Sequence, residues 1–424
     1  MKRALLTIML VALLGAAQSF GAPKTPKAKK KNKSKSVNVS NAADVQIGKP
    51  LPAWSEGYLD IHFINTGRGE CCFFILPDGT TLIVDAGEMI TGKSSVPQRP
   101  NAETRPYITY ANYIKHFLPT GKKAIDYCHL SHFHIDHIGC IEAATETAPA
   151  GYRRTGVLAL YDEVPFNHIL DRAYPDYTED EKTPAVVSQM AEDWIKFVRW
   201  GVESKRFTAA RFVAGEKQIT MLNNPKKYDN FSIFNVCANG FVWGRTSAGE
   251  EKLLGKLATG NGNPASCGFH IRYGAFDYLA CGDLTSGAQN RFAYYFRNFI
   301  GKDNLEAFKG HHHLAANSWG SKMQEVGFNP CVVLNHCFAS NKPSIEKLMH
   351  VLPVVKGFYA TNVHKDFLEN PDVKANKLAE RITAYNGHIV LRVAPGGEEY
   401  YVYMLDDSDF EYRVKSIHGP YRSK

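Results

Sequence analysis

A strand-like run, Ile125 to Leu130, passes without a break into Ser131-His132-Phe133-His134-Ile135-Asp136-His137. That junction limits the possible folds more than any other part of the chain. The run has the branched and aromatic composition of a buried strand, yet the ligand-capable His132, His134, Asp136 and His137 follow it at once. Imidazoles and a carboxylate grouped at the end of a buried strand are costly to desolvate unless something binds them. His132 and His134, two apart on a tight loop, can point the same way and chelate one cation. Asp136 and His137 can reach a second cation beside it. Nitrogen and carboxylate ligands without thiolate suit Zn first, and also Mn or Fe. The competing reading is a surface histidine cluster that holds nothing.

The flanking sequence supplies further strands. Tyr58 to Asn65 and Cys71 to Leu76 read as two, and Pro77-Asp78-Gly79-Thr80 as a turn. Thr81 to Val84 reads as a third strand ending at Asp85-Ala86-Gly87, and Tyr113, Ile114, Phe117 and Leu118 mark a helix before the strand at Ile125. Residues from about 145 to 262 form a long middle stretch with an amphipathic helix pattern at Val187, Met190, Trp194, Phe197 and Val198. Its aromatics Tyr161, Phe166, Tyr174, Tyr177, Trp194 and Trp200 would serve a lid or a base-stacking surface. Helical spacing of several of them favours core packing instead. Strands resume at Phe269 to Tyr273 and at Phe276 to Cys281, the latter ending in Gly282-Asp283. Others follow at Cys331 to Asn335, Phe358 to Thr361, Gly387 to Val393 and Tyr400 to Leu405, with a short helix through Ile345, Leu348 and Met349. This alternation predicts an α/β fold with helices covering sheets, residues 406–424 being left as a C-terminal tail.

The N-terminal region is of another kind. Lys2 and Arg3 precede an apolar stretch from Ala4 to Ala17, followed by the small residues Ser19, Gly21 and Ala22. Residues 1–22 therefore read as a secretory signal peptide, too short for the ~20 residues of a spanning helix; a retained N-terminal anchor is the alternative. Of the 50 Lys and Arg residues, nine lie in residues 1–36 with no acid among them, leaving 41 basic against 42 acidic residues in the rest. The overall charge of +8 thus belongs to the leader and to a Lys-rich, disordered linker over residues 23–55. Such a linker offers association with the cell envelope. A near-neutral body argues against a strongly electrostatic duplex binder. Nine cysteines, with no C-x-x-C pair, support neither a disulfide framework nor a thiolate zinc knuckle. The expectation is an exported chain, periplasmic or secreted, without a transmembrane domain once mature.

The segment HFHIDH resembles the H-x-H-x-D-H signature of the metallo-β-lactamase fold superfamily. VDAG at Val84 to Gly87 resembles the Asp that ends the third strand of that fold, and CGD at Cys281 to Asp283 resembles its metal-bridging Asp. Within the superfamily, IDYCHLSHFHIDHIG, FDYLACGDL, FKGHHHLAANS and FYATNVHKD before NGHIVLRV are similar to the soluble hydrolase domain of ComEC and its stand-alone relatives, over residues 56–405. The resemblance implies an αββα sandwich, here with an enlarged middle insertion, and two divalent metal ions. It implies that His132 and His134 ligate the first metal, Asp136 and His137 the second, and that Asp283 bridges them. His311 or His312 would complete the second site, the run of three histidines leaving the choice open. Asp85 would orient a ligand histidine from behind.

Two departures stand out. The superfamily's further first-site histidine has only His168 and His270 as candidates, without the expected flanks; Asn261-Gly262-Asn263 resembles the Asn-containing segment that ComEC-like members carry instead. HHHL stands where HHG is usual, and Gly139-Cys140 where two glycines are usual. The implied chemistry is hydrolysis by a metal-bound hydroxide, with Asp136 as base or orienting group. Asn317, Ser318 and His364 are substrate-side candidates by position. Phosphodiesters, small molecules or nucleic acid, are the implied substrates. A β-lactam, lactone or other ester hydrolase on the same fold, or a non-catalytic metal-binding protein, are the alternatives.

Overall fold

Alternation of apolar side chains builds the inner sheets. In β1 (Leu59–Phe63), Leu59, Ile61 and Phe63 face one way, while Asp60 and His62 face the other. The computed structural model describes residues 44–93, 95–177, 189–254, 262–300, 305–325 and 328–424. β1 is followed by β2 (Cys72–Ile75), β3 (Thr81–Val84), β4 (Ile125–His129), β5 (Phe166–Asp171) and β6 (Thr208–Arg211). β1, β2 and β3 pair antiparallel, and β3 through β6 run parallel. The chain then builds a second sheet from β7 (Phe231–Ala238), β8 (Phe241–Arg245), β9 (Glu251–Leu254), β10 (Gly268–Tyr273), β11 (Phe276–Ala280), β12 (Ala307–Lys309), β13 (Val332–Asn335), β14 (Gly357–Ala360) and β15 (Ala384–Tyr385). It returns to the first sheet with β16 (His388–Val393), β17 (Glu399–Leu405) and β18 (Val414–Arg422). The orders are β18-β17-β16-β1-β2-β3-β4-β5-β6 and β15-β14-β13-β12-β11-β10-β7-β8-β9.

The inward faces of the two sheets meet in one apolar layer: Ile61, Phe63 and Phe74 from the first, Phe269, Ile271 and Tyr278 from the second. The opposite face of the first sheet carries Phe73, Ile75 and Cys128 against the helices Pro106–Phe117, Gly156–Glu163 and Gln189–Glu203. The opposite face of the second carries Leu279, Phe308 and Val333 against helices Ser286–Ile300 and Ile345–Val351. Helix, sheet, sheet, helix is an αββα sandwich, the architecture expected from the sequence. No helix of the described residues is long and apolar enough to cross a membrane.

Three boundaries shift. The leader and most of the Lys-rich stretch lie outside the described residues, but the linker expected to end at residue 55 gives way to folded structure sooner. Val45 and Leu51 are buried, and Pro50 bridges to Arg413. The tail expected at 406–424 is instead β18, paired with β17. Much of the 145–262 stretch is built into the sandwich, where it supplies β5 through β9. Its amphipathic helix is Gln189–Glu203, with Val187 of the expected pattern outside the described residues. The aromatics of this stretch are core: Tyr177 and Trp194 both donate to the buried Asp171 carboxylate, at 2.7 and 2.8 Å. Tyr161 and Phe166 are buried nearby, with Tyr174 and Trp200 packed against the same layer. A base-stacking surface is not what they form.

On the helix side of β1, Asp60 is fully buried and takes two bonds from Arg392, at 2.8 and 2.7 Å. Burial would raise its carboxyl, but Arg392 and His62 outweigh burial and hold it at about 2. A depressed carboxylate stabilises the fold above its unfolded value near 3.8, and that contribution is lost as pH falls toward 2. Its size is about 2 kcal/mol. Urea unfolding at pH 5 and pH 2.5 should show this loss in the wild type. In Asp60→Asn the Asp60-linked loss should vanish, while stability at neutral pH falls by ~3 kcal/mol because Arg392 is left buried and unpaired.

Candidate metal centre

Most of the metal-ligand candidates read from sequence converge on the carboxyl ends of strands, where loops of an open α/β sheet commonly build sites. β3 ends at Asp85, β4 at the His132–His137 loop, β11 at Asp283, and β12 at the histidine run. Backbone bonds lock these loops together. Glu70 N–H donates to Asp136 O at 2.8 Å, Ala86 N–H to His137 O at 2.8 Å, and Gly87 N–H to Glu70 O at 2.9 Å.

Asp85 sits in the left-handed region, φ 60°. Its Oδ1 accepts from Ser131 N–H at 2.8 Å, and its Oδ2 from Ser131 Oγ and from His137 Nδ1, both at 2.7 Å. A carboxylate only accepts, so His137 carries its proton on Nδ1 and presents Nε2 forward. Nε2 lies 3.2 Å from Asp283 Oδ2. Asp85→Asn should therefore weaken binding of a cation at His137 by about 10–100-fold, as measured by metal titration, with the fold retained.

Glu70, His137, Asp283 and His313 bring one ligand atom each within 4.8 Å of one another, all four buried. His313 Nε2 is 3.3 Å from Asp283 Oδ2 and 3.4 Å from Asp136 Oδ2. His313 is reached through an unusual turn: His312, His313 and Leu314 have φ values of 49°, 53° and 55°. Three consecutive left-handed residues other than glycine are strained, and such strain gathers at functional sites. The turn separates the three rings of the run. His311, one of the two ligands expected there, faces away, its ring 4.5 Å from Phe308. His312 is intermediate, with Nε2 3.9 Å from Asp283 Oδ2 and 3.4 Å from Asn263 Nδ2.

His132 and His134 lie beside this group, with ring centroids 4.6 Å apart and His132 4.2 Å from His137. His132 Nδ1 faces Ser131 Oγ at 3.0 Å, while its Nε2 has no hydrogen-bond partner. The other histidines considered for the first site are elsewhere: His168 meets Thr208 on the neighbouring strand β6, and His270 bonds Asp277 at 2.6 Å. Asn263 does reach the site through His312, whereas Asn261 lies outside the described residues.

Two lysines and a glutamate complete the electrostatics, and none was singled out from sequence. Lys309 is buried with Nζ 3.0 Å from Glu70 Oε2 and 3.7 Å from Asp283 Oδ1. Lys342 Nζ lies 3.4 Å from Asp136 Oδ2. Burial pushes the Glu70 carboxyl up against the pull of Lys309. Burial also opposes ionisation of Asp136, but Lys342 and His137 overcome it and hold that carboxyl well below its usual range. For His137, burial is outweighed by Asp283, Asp136 and Asp85, which hold the ring well above the usual imidazole value. Glycines flanking Arg68 in the 67–70 loop, and the third histidine of the run, were the available hints to Glu70 and His313.

The substrate-side candidates do not share this placement. Ser318 Oγ donates to Ala315 O at 2.7 Å, closing a turn, and Asn317 is exposed with its backbone carbonyl bonded to Ser286 N–H. His364 caps the helix Lys365–Glu369 by accepting from Asp366 N–H.

The residues present fit a divalent cation. Glu70 Oε1, His132 Nε2, His137 Nε2, Asp283 Oδ1 and His313 Nε2 are buried without a hydrogen-bond partner, a state that buried polar atoms rarely keep without a ligand. Fold and side chains thus define an αββα protein with a buried His/carboxylate cluster between its strand ends. No protein-family model matches this sequence, and neither does any curated protein. Among solved structures it is similar to CmlA, a diiron β-hydroxylase from Streptomyces venezuelae, at 13% identity and a TM-score of 0.36, over 81% of this chain and 55% of that one. It is also similar to a protein described as a metal-dependent hydrolase from Parabacteroides distasonis, at 10% identity and TM-score 0.29, over 77% and 91% of the two chains. A third is AbOPH, a hydrolase in the β-lactamase superfamily, at 9% identity and TM-score 0.26, over 57% and 76%. The chain spans about half the length of CmlA.

Proposed function

We propose that this chain is a metal-dependent hydrolase acting on phosphodiesters, in the manner of the ComEC-like domain that its motifs resemble. The observation that carries the reading is the convergence of Glu70, His137, Asp283 and His313 in one buried group with unsatisfied ligand atoms. His137, Asp283 and His313 would hold one divalent ion, and His132 with His134 would contribute to a second position beside it. Zn suits the donor set first, Mn or Fe next.

Such ions supply an activated water near neutral pH and polarise the bond under attack. The chain's own residues do the rest. Asp85 fixes the tautomer of His137. Lys309 balances the charge of Glu70 and Asp283, so the pocket tolerates three buried carboxylates. Asp136, held ionised by Lys342, is the least enclosed of them and is placed to accept a proton from an attacking water. Lys342 also gives the site a positive group for an anionic substrate. Lactone or β-lactam hydrolysis and a non-catalytic metal protein would use the same cluster, and Lys342 beside Asp136, a cation suited to an anionic substrate, favours the phosphodiester reading. Export through residues 1–22, with the Lys-rich stretch that follows as a basic tether toward anionic envelope surfaces, completes the proposal.

The test is turnover of bis(p-nitrophenyl) phosphate by the purified chain with added Zn or Mn. Activity that falls by about a thousandfold in Asp136→Asn, with folding intact, is expected. Undiminished turnover in that variant, or none in the wild type with either metal, would overturn the assignment.

A further inference from the structure

The loop that carries Glu70 also walls a cavity of about 560 Å³, lined among others by Arg68, Lys93, Arg99, Asn362, His364 and Lys365. None of its lining residues is acidic. Arg68 is buried, 3% exposed, and its guanidinium donates to the carbonyls of Gly67 and Val96 and to the Thr91 hydroxyl. These partners fix the plane of the group and leave its charge uncompensated. No carboxylate lies within 4 Å of it among the described residues, and burial acts on its pKa with nothing offsetting it. Arg99 faces the Asp407 carboxylate at 3.5 Å, one acid against the four Arg and Lys residues of the wall. Asp366, exposed at the rim, lies 3.5 Å from His364. Lys93 and Lys365 are exposed and have no ion-pair partner among the described residues.

A cavity of that size is in the range of small-molecule sites, and its charge selects an anion. Arg and Lys together are the side chains that recognise phosphate. We propose that this cavity binds the phosphate group of a phosphorylated small molecule, with Lys93, Arg99 and Lys365 meeting the anion and Arg68 supplying a fixed positive field behind them. The site is distinct from the metal cluster but joined to it. Val96 N–H donates to Phe338 O at 3.2 Å, and the Phe338 ring lies 4.6 Å from that of His313. The assignment does not depend on the hydrolase reading.

Calorimetric titration of the full-length chain with adenosine 5′-monophosphate, inorganic phosphate and, as a neutral control, adenosine tests it. Both phosphates should bind and adenosine should not. Lys93→Ala/Lys365→Ala, which removes two exposed side chains and should leave the melting temperature unchanged, should weaken both by about tenfold or more. Affinity equal to wild type in that variant would place the anion on the Lys-rich segment or the metal cluster and overturn the proposal, as would absence of binding by either phosphate. Where the variant does weaken binding, inhibition kinetics separate the sources. Competition with a phosphodiester makes the cavity part of the substrate site, and additivity makes it the seat of a separate ligand.

Discussion

His313→Ala will abolish cation binding at the cluster and lower turnover by about a thousandfold, whereas His311→Ala will leave both nearly intact. The contrast follows from the left-handed turn at His312 to Leu314. It aims His313 at Asp283 and Asp136 while His311 packs on Phe308. Removing His311 should appear as lost stability, ~2 kcal/mol for a buried ring, and not as lost chemistry. Metal titration and urea unfolding of the two variants, run side by side, check both halves. A metal-binding loss confined to His311→Ala would reverse the assignment.

Gly87→Ala will have an effect of similar size through the backbone. A Cβ built on Gly87 would lie 1.9 Å from Asp136 O and 2.2 Å from its carbonyl carbon. Neither atom can move freely, since Asp136 O accepts from Glu70 N–H and the next residue is the ligand His137. The loops bearing Glu70, Asp85 and Asp136 must separate to admit one methyl group. The expected cost is ~3 kcal/mol of stability together with loss of the cluster's metal affinity. Gly287→Ala is the natural control for a glycine change on the same protein, because a Cβ there meets no atom within 4 Å and its backbone is not left-handed. Comparable metal affinity in Gly87→Ala and wild type would show that the loops are not locked in this way.

How far the fold could be read in advance depended on where each strand sits. Strands inside the sheets, such as β1, β2, β4, β10 and β16, are apolar enough on one or both faces to stand out as runs. The four that escaped most completely, β6, β9, β15 and β18, are the edges of the two sheets. An edge strand is half solvated, so it need not alternate or be apolar. β9 is Glu-Lys-Leu-Leu with its first three residues exposed, and β18 contains Pro420, which only an edge tolerates well. Interior strands within the middle stretch, β5, β7 and β8, do not stand out because the aromatics around them suggest a separate insertion.

The site shows the same division. His132, His134, Asp136 and His137 are local in sequence and were legible as one motif. Asp85 and Asp283 stood out as acids ending apolar strands. Glu70 and Lys309 were not legible, since each gains its meaning from a partner hundreds of residues away, at 3.0 Å. The choice among three adjacent histidines depends on backbone dihedrals that no periodicity records.

The most direct test of the central claim is the zinc content of the full-length chain after equilibrium dialysis, measured for wild type, His313→Ala and Asp283→Ala. Stoichiometric zinc in the wild type and its loss in both variants, with far-UV circular dichroism unchanged, is the predicted result. A wild type that retains no metal, or variants that retain as much as the wild type, would contradict the assignment of this cluster as a metal centre.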